Sequence, residues 1–232
     1  MRHGSCRFKG RVEVPIVGPR LKTLKYNSPK IVLVRRMRKS VFIPGLVVLV
    51  IGACLLGYGF KYASDLDALI KASEWDVTWY RVIDPYGTWG DVIGRSTLPA
   101  RFGRTTIIYE DVSEEFGFKA TMTIELLRDD TVVFQTGSDD GIMLYVDGEL
   151  VINSWILRGY TLDSPVHISL KAGTHALELW YYEWHGANEA SFDMHVEEYE
   201  MARNIQTASG GILFIGIVVT IVGFLLKPKV RI

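Results

Sequence analysis

The sequence predicts an all-β domain, an antiparallel sandwich or barrel, flanked by two transmembrane α-helices. Three observations lead to this fold class. The 232-residue chain has a long uncharged apolar segment near each end, a series of short alternating segments with turn residues between them, and a strongly uneven charge distribution. Its two cysteines, Cys6 and Cys54, both lie outside the region between the apolar segments. We therefore expect packing or a metal ion, and not disulfides, to stabilise that region.

The apolar segments at residues 41–60 and 209–226 are assigned as the two transmembrane helices. Neither contains a charged residue, and each is close to the roughly 20 residues that a helix needs to cross a bilayer. A buried core helix is the alternative for both segments.

The charge distribution predicts the orientation. Residues 1–40 carry a net charge of +11, residues 41–226 carry −14, and the last six residues carry +3. Because basic residues collect on the cytoplasmic side of membrane proteins, we expect basic cytoplasmic tails at 1–40 and 227–232, with residues 61–207 extracytoplasmic. The first tail has only two aromatic residues, Phe8 and Tyr26, so a nucleic-acid partner is not expected.

Small residues recur every seven positions in both apolar segments. They are Gly45, Gly52 and Gly59 in the first segment, and Ser209, Gly216 and Gly223 in the second. This spacing keeps small side chains on one helix face, where two backbones can approach closely. The two helices are expected either to pack antiparallel on each other or to dock onto helices of a partner.

Between the spans, stalks are predicted at 61–74, with a helical pattern, and at 198–208. The intervening residues 75–197 have the alternation and the turn spacing of an antiparallel sandwich or barrel. The predicted strands are 77–83, 104–109, 119–127, 131–136, 142–146, 150–152, 166–170, 174–182 and 190–196.

One stretch combines the strongest hairpin signal with two adjacent carboxylates. Asp147 and Gly148 lie between two apolar runs, and Asp-Gly is a favoured pair for the two central residues of a type I′ hairpin turn. Asp147 is assigned to this turn alone. Upstream, Asp139 and Asp140 lie side by side between Ser138 and Gly141. Adjacent carboxylates repel each other, so either they hold a cation or both are solvated in a loop.

Residues 75–197 resemble a PA14 domain, on the evidence of segments 131–155, 168–184 and 190–194. In lectin members of that family, two aspartates joined by a cis peptide hold a calcium ion that in turn ligates sugar hydroxyls. The resemblance implies that Asp139 and Asp140 are this pair, with Asn188 in a later loop as a further ligand. The same Ser-Asp-Asp-Gly motif also occurs in PA14 domains not known to bind sugar, where the aspartates cap the turn.

Aromatic residues supply the candidate sugar contacts. Trp184 and His185, in the loop that contains Asn188, are predicted to bind ligand together with it. Trp180 should lie on the outer face of its strand, opposite Leu177, Leu179 and Tyr181, which their alternation assigns to the core.

No motif for catalysis is present. The sequence has no nucleophile elbow, no His-Glu-x-x-His and no phosphate-binding glycine loop. The histidines at 167, 175, 185 and 195 fall on separate strands or loops, so an enzyme is not expected.

The predicted function is a membrane-anchored extracytoplasmic PA14 module that binds carbohydrate or cell-envelope polymer with the help of Ca²⁺. The alternative is a non-catalytic structural or accessory subunit of a membrane protein assembly.

Overall fold

The computed structural model describes residues 38–226, so most of the two predicted tails lies outside the described residues. Helix α1 (Lys39–Asp67) and helix α2 (Glu198–Leu225) enclose twelve β-strands. The strands are β1 (Ile70–Ala72), β2 (Trp75–Val82), β3 (Trp89–Leu98), β4 (Phe102–Thr106), β5 (Phe116–Leu126), β6 (Asp130–Asp139), β7 (Gly141–Val146), β8 (Glu149–Ser154), β9 (Thr161–Leu162), β10 (Val166–Leu170), β11 (Gly173–Glu183) and β12 (Glu189–Val196).

The strands form two antiparallel sheets, which confirms the predicted fold class. The large sheet has seven strands in the order β3-β2-β5-β11-β7-β8, with β1 beside one end of β5. The small sheet has five strands in the order β10-β6-β12-β4, with β9 beside β6. Every pairing between these strands is antiparallel.

The core follows from the alternation of the central strands. Leu177, Leu179 and Tyr181 of β11 are fully buried, as predicted. They face buried side chains of the small sheet such as Phe134 and Phe192. Because successive side chains of a strand point to opposite faces, the residues between them lie on the outer face of the large sheet.

Strand β3 was missed by the sequence analysis. Two glycines interrupt it, and its pairing with β2 shifts register twice, so no period-two pattern marks it. Gly94 has a packing reason: a side chain there would collide with the Tyr109 ring. That ring stacks on Trp79 at a centroid distance of 5.1 Å.

The predicted helical stalk at 61–74 is wrong in its second half. Helix α1 ends at Asp67, and residues Ile70–Ala72 form β1 on β5. Leu66 on the last turn of α1 is buried with the sheet core, and Asp67 forms an ion pair with Arg101. The first helix therefore runs directly into the β domain.

The Asp147–Gly148 hairpin forms as predicted, but the assignment of Asp147 to the turn alone is wrong. Asp147 and Gly148 have φ angles of 50° and 82°, the positive values that a type I′ turn needs. The Asp147 carboxylate also accepts hydrogen bonds from the Ala176 main-chain nitrogen at 2.9 Å and from His175 Nδ1 at 2.7 Å. It thereby ties the hairpin to β11.

Helices α1 and α2 pack antiparallel on each other through the two small-residue stripes. A Cβ at Gly45 would lie 2.6 Å from the Thr220 main-chain nitrogen, and one at Gly52 would lie 2.6 Å from that of Leu213. Side chains at Gly216 and Gly223 would collide with the backbone of α1. Both helices are long and apolar enough to cross a membrane, judged by length and composition.

We expect Gly52→Ala to weaken the helix pair, because its new methyl group would press on the α2 backbone. Overpacking of this kind costs about 1–3 kcal/mol. Gly57→Ala is the matched control, since nothing lies within 4 Å of a Cβ at that position. Unfolding of the full chain by SDS, followed by circular dichroism, measures the difference. An equal loss of stability in both variants would contradict close packing at Gly52.

Candidate functional site

The candidate site lies where the chain passes from the small sheet to the large one. Strand β6 ends at Asp139, and β7 begins at Gly141. The peptide bond between Asp139 and Asp140 is cis, as the resemblance implied. Buried hydroxyls fix the crossing: Tyr181 donates to the main-chain oxygen of Asp139 at 2.7 Å, and Ser138 donates to that of Asp140 at 2.6 Å.

Three buried carboxylates meet at this crossing. Glu183, the last residue of β11, joins Asp139 and Asp140, and one ligand atom from each lies within 4.8 Å of the others. Their exposed fractions are 8% for Asp139, 4% for Asp140 and 0% for Glu183. Within residues 38–226 this is the one group of three or more acidic, histidine or cysteine side chains that could hold a metal ion, so the four histidines form no such group.

Main-chain N–H groups orient the two aspartates. Tyr160 donates to Asp139 Oδ2 at 3.1 Å, while Arg158 and Trp184 donate to the two oxygens of Asp140 at 2.9 and 3.0 Å. Neither oxygen of Glu183 accepts a hydrogen bond. None of the three carboxylates forms an ion pair with a basic residue in the described part of the chain.

Burial and mutual repulsion change how these groups titrate. Burial raises the pKa of Glu183 to about 8, and the charges of Asp140 and Asp139 add to the rise. Tyr181 has a smaller, opposing effect on this pKa. Burial and the Asp140 charge likewise raise the pKa of Asp139. Three buried negative charges need a proton or a cation for compensation.

A part-buried ion pair anchors the loop that supplies two of these N–H donors. Arg158 binds both oxygens of Asp163, at 2.7 and 3.0 Å, and donates to Ser138 at 2.8 Å. Burial alone would raise the pKa of Asp163, but hydrogen bonds from Arg158, Ser154 and Thr136 hold it below its usual value. The charge of Arg158 is therefore paired with Asp163. Its side chain also donates to the main-chain oxygen of Asp140 at 3.3 Å, while its main-chain N–H donates to the Asp140 carboxylate.

Sequence reasoning found two of the three clustered carboxylates and missed Glu183. Nothing in Tyr-Tyr-Glu distinguishes Glu183 from an ordinary strand residue; only the sheet pairing brings it to the aspartates. Asn188, the predicted further ligand, precedes Glu189, which lies opposite Asp139 in the β6–β12 register. Its side-chain nitrogen donates to the Ile107 main-chain oxygen at 2.5 Å. A metal-binding role for Asn188 stays a prediction.

The predicted sugar contacts lie in the loop after Glu183. Trp184 is half-buried beside the site, and its ring contacts that of His185 at a centroid distance of 4.8 Å. His185 is exposed and lies 3.6 Å from Glu114 and 3.8 Å from Glu115. Both residues directly follow Glu183 in the chain, and the Trp184 main-chain nitrogen contacts Asp140, but a role of their side chains in binding stays a prediction.

The sequence profile of the PA14 domain matches residues 93–206. The chain carries a PA14 domain. In the structure, the sheets of this PA14 domain also include β1 and β2, which precede the matched residues. A search of curated proteins found no significant match.

Several solved structures resemble the PA14 domain described here. A β-glucosidase from Kluyveromyces marxianus with bound glucose is 14% identical, with 56% of this chain and 16% of that chain covered and a TM-score of 0.42. The PA14 sugar-binding domain of an RTX adhesin is 23% identical, with coverages of 35% and 47% and a TM-score of 0.31. The PA14 domain of the antifreeze protein MpAFP is 13% identical, with coverages of 55% and 84% and a TM-score of 0.36. The chain thus spans about a sixth of the β-glucosidase and about half of the adhesin domain.

We expect the cation-free protein to lose stability as the pH rises from about 5 to 8. The folded-state pKa of Glu183, about 8, lies above the ordinary value of 4.5, so the folded protein holds this proton more tightly than the unfolded chain. Stability present at low pH is therefore lost through this window, by up to about 1.4 kcal/mol per pH unit.

Chemical denaturation of the full chain in EDTA, at each pH from 5 to 9, measures this loss. Glu183→Gln cannot titrate, so the difference between wild type and variant isolates the contribution of Glu183. The same pH dependence in both proteins would show that Glu183 does not hold the proton.

Proposed function

We propose that the protein is a membrane-anchored, extracytoplasmic PA14 module that binds carbohydrate through a Ca²⁺ ion held by Asp139, Asp140 and Glu183. The observation that supports this most is Glu183, a fully buried carboxylate without a hydrogen-bond partner beside two other buried carboxylates. A folded protein leaves such a charge uncompensated only at high cost. A cation at the centre of the three carboxylates removes that cost.

The donor set fits a hard divalent cation. Ca²⁺ takes six to eight oxygen ligands, and the cluster offers carboxylate oxygens alone, without histidine or cysteine. The two aspartates are already oriented by main-chain N–H groups, so little reorganisation is needed on binding. When bound, the ion supplies coordination positions for a pair of sugar hydroxyls, and Asn188, Trp184 and His185 border the place where the sugar would lie.

The fold supports a position of the site far from the membrane. Strand β6 starts beside the first turn of α2, where Arg128 binds both Asp130 and Glu198 at 2.8 and 2.7 Å. It ends at Asp139, ten residues along. At 3.3–3.4 Å per residue, the carboxylate cluster lies about 30 Å from that helix end.

The antiparallel helices support a common side for both termini. The Arg38 main-chain nitrogen donates to the Gly223 oxygen at 3.1 Å, so the two outer helix ends lie together. The basic tails that continue the chain from these ends support a cytoplasmic position for them by the positive-inside rule. The acidic β domain is then displayed on the other side of the membrane.

Calcium should stabilise the folded protein, and Asp140→Asn should remove the effect. Since an ion that binds only the folded state stabilises it by mass action, we expect about 2.7 kcal/mol at a concentration a hundred times the dissociation constant. Thermal denaturation of the full chain in a detergent without sugar headgroups, with CaCl₂ or EDTA, measures the shift. Asp111→Asn, at an exposed aspartate outside the site, is the matched control. No calcium shift in the wild type, or an equal shift in Asp140→Asn, would overturn the cation site.

Carbohydrate binding needs a separate measurement. We expect at least one glycan on an array to bind the full chain only in CaCl₂, so that this glycan is lost in EDTA and does not bind Asp140→Asn. A cation site without any glycan binding would retain the metal part of the proposal and reject the sugar part. The alternative, an accessory subunit, has less support from the helices, because their glycine stripes contact each other.

A further inference from the structure

The outer face of the large sheet carries a groove lined by aromatic and charged side chains. Its volume is about 280 Å³, and it lies across β2, β5 and β11 on the side away from the core. Trp180 and Tyr80 form its aromatic part. Tyr145 packs on Trp180 at 5.2 Å, and Trp89 packs on Tyr80 at 5.3 Å, so both lining rings are held by further rings.

The strand register arranges the polar side chains of the groove in two parallel rows. Thr78, Lys119 and Trp180 are direct cross-strand neighbours, and they form the first row. Asp76, Thr121 and Glu178 form the second row, two residues away along each strand. With neighbouring strands 4.7–4.9 Å apart, each row spans about 10 Å across the strands.

The charged side chains of the groove are not paired in salt bridges within the described part of the chain. The side chains of Asp76, Glu178, Arg95 and Lys119 form no hydrogen bond and no ion pair with residues 38–226. The Lys119 ammonium lies 4.1 Å from the centre of the Trp180 ring and 5.7 Å from that of Tyr80. Burial lowers the pKa of Lys119, and the charge of Glu178 opposes this effect.

We propose that this groove is a second carbohydrate subsite, which binds a neutral polyhydroxylated sugar chain without a cation. Hydroxyl groups both donate and accept hydrogen bonds, so they suit a groove that presents two carboxylates, two cationic groups and two threonine hydroxyls. The aromatic rings offer apolar faces to the C–H groups of a sugar ring. The subsite is distinct from the carboxylate cluster.

The balance of charges argues against charged occupants. An acidic ligand would meet Asp76 and Glu178, and a cationic ligand would meet Arg95 and Lys119, so each would lose through repulsion what it gained from attraction. A purely apolar partner would leave four charged side chains buried without compensation. A neutral sugar avoids both costs.

The test uses the full chain in EDTA, in a detergent without sugar headgroups, so that the calcium site does not contribute. The probes are an array of glycans and then neutral hexasaccharides of glucose and of N-acetylglucosamine, with a hexamer of uronic acid for comparison. Tryptophan fluorescence follows the titration, because Trp180 lines the groove. Asp111→Asn, at an exposed aspartate outside both the groove and the carboxylate cluster, should bind these probes as the wild type does.

We expect a neutral oligosaccharide to bind in EDTA, and Glu178→Gln to weaken it by at least about ten-fold, since hydrogen bonds to charged groups are the stronger ones. Thr121→Val should also weaken binding, whereas Thr123→Val should not. Both threonines are exposed on the same face of β5, but only Thr121 lines the groove. Trp180→Ala should abolish the fluorescence change.

The subsite would be overturned if no neutral glycan binds in EDTA, or if the uronic acid hexamer binds more tightly than the neutral hexasaccharides. Equal binding by the Thr121 and Thr123 variants would overturn it as well. Loss of all glycan binding in Asp140→Asn would assign recognition to the cation site alone. A subsite that binds in EDTA while calcium has no effect would uphold this inference and reject the cation-dependent one.

Discussion

The arrangement of the β domain depends on how the chain crosses between its two sheets. Strands β6 and β7 belong to different sheets, yet Asp140 alone separates them. Such a short crossing is packed closely against β11. A side chain at Gly141 would collide with the Tyr182 ring. Tyr181, on the opposite face of β11 from Tyr182, donates a hydrogen bond from its hydroxyl to the main-chain oxygen of Asp139. The two aspartates are thus placed at the edge where the sheets meet.

The third carboxylate reaches the same point because β11 is central in the large sheet. Its pairing with β7 brings Tyr182 opposite Gly141, which places Glu183 one residue beyond, next to the crossing. Glu183 lies on the same face of β11 as Leu177, Leu179 and Tyr181. The strand that contributes these core residues therefore also buries the Glu183 carboxylate. The fold therefore creates the charge imbalance, and a cation or a proton resolves it.

Local patterns predicted the features that local chemistry determines. The Asp147–Gly148 hairpin, strand β10 and the glycine stripes of the helices each depend on residue spacing within one segment, and the structure has all three. The helix predicted at 61–74 is wrong for residues 70–72, because these residues pair with a free edge of β5. The helix propensity of the segment gives no sign of this pairing. Glu183 could not be found, since its role arises from strand pairing between residues over forty positions apart. Asp139 and Asp140 were found because the two carboxylates are adjacent in sequence.

Alternate side chains of β11 connect the two proposed binding regions. Glu178 and Trp180 point to the outer groove, whereas Glu183 points inward to the carboxylate cluster. Glu183 lies five positions beyond Glu178 along the strand, which is about 17 Å. A rigid strand keeps this separation constant, so a polymer long enough to reach both regions would meet the second one at a high effective concentration. A short sugar gains nothing from the second region, and the pair would therefore favour a long chain over its fragments.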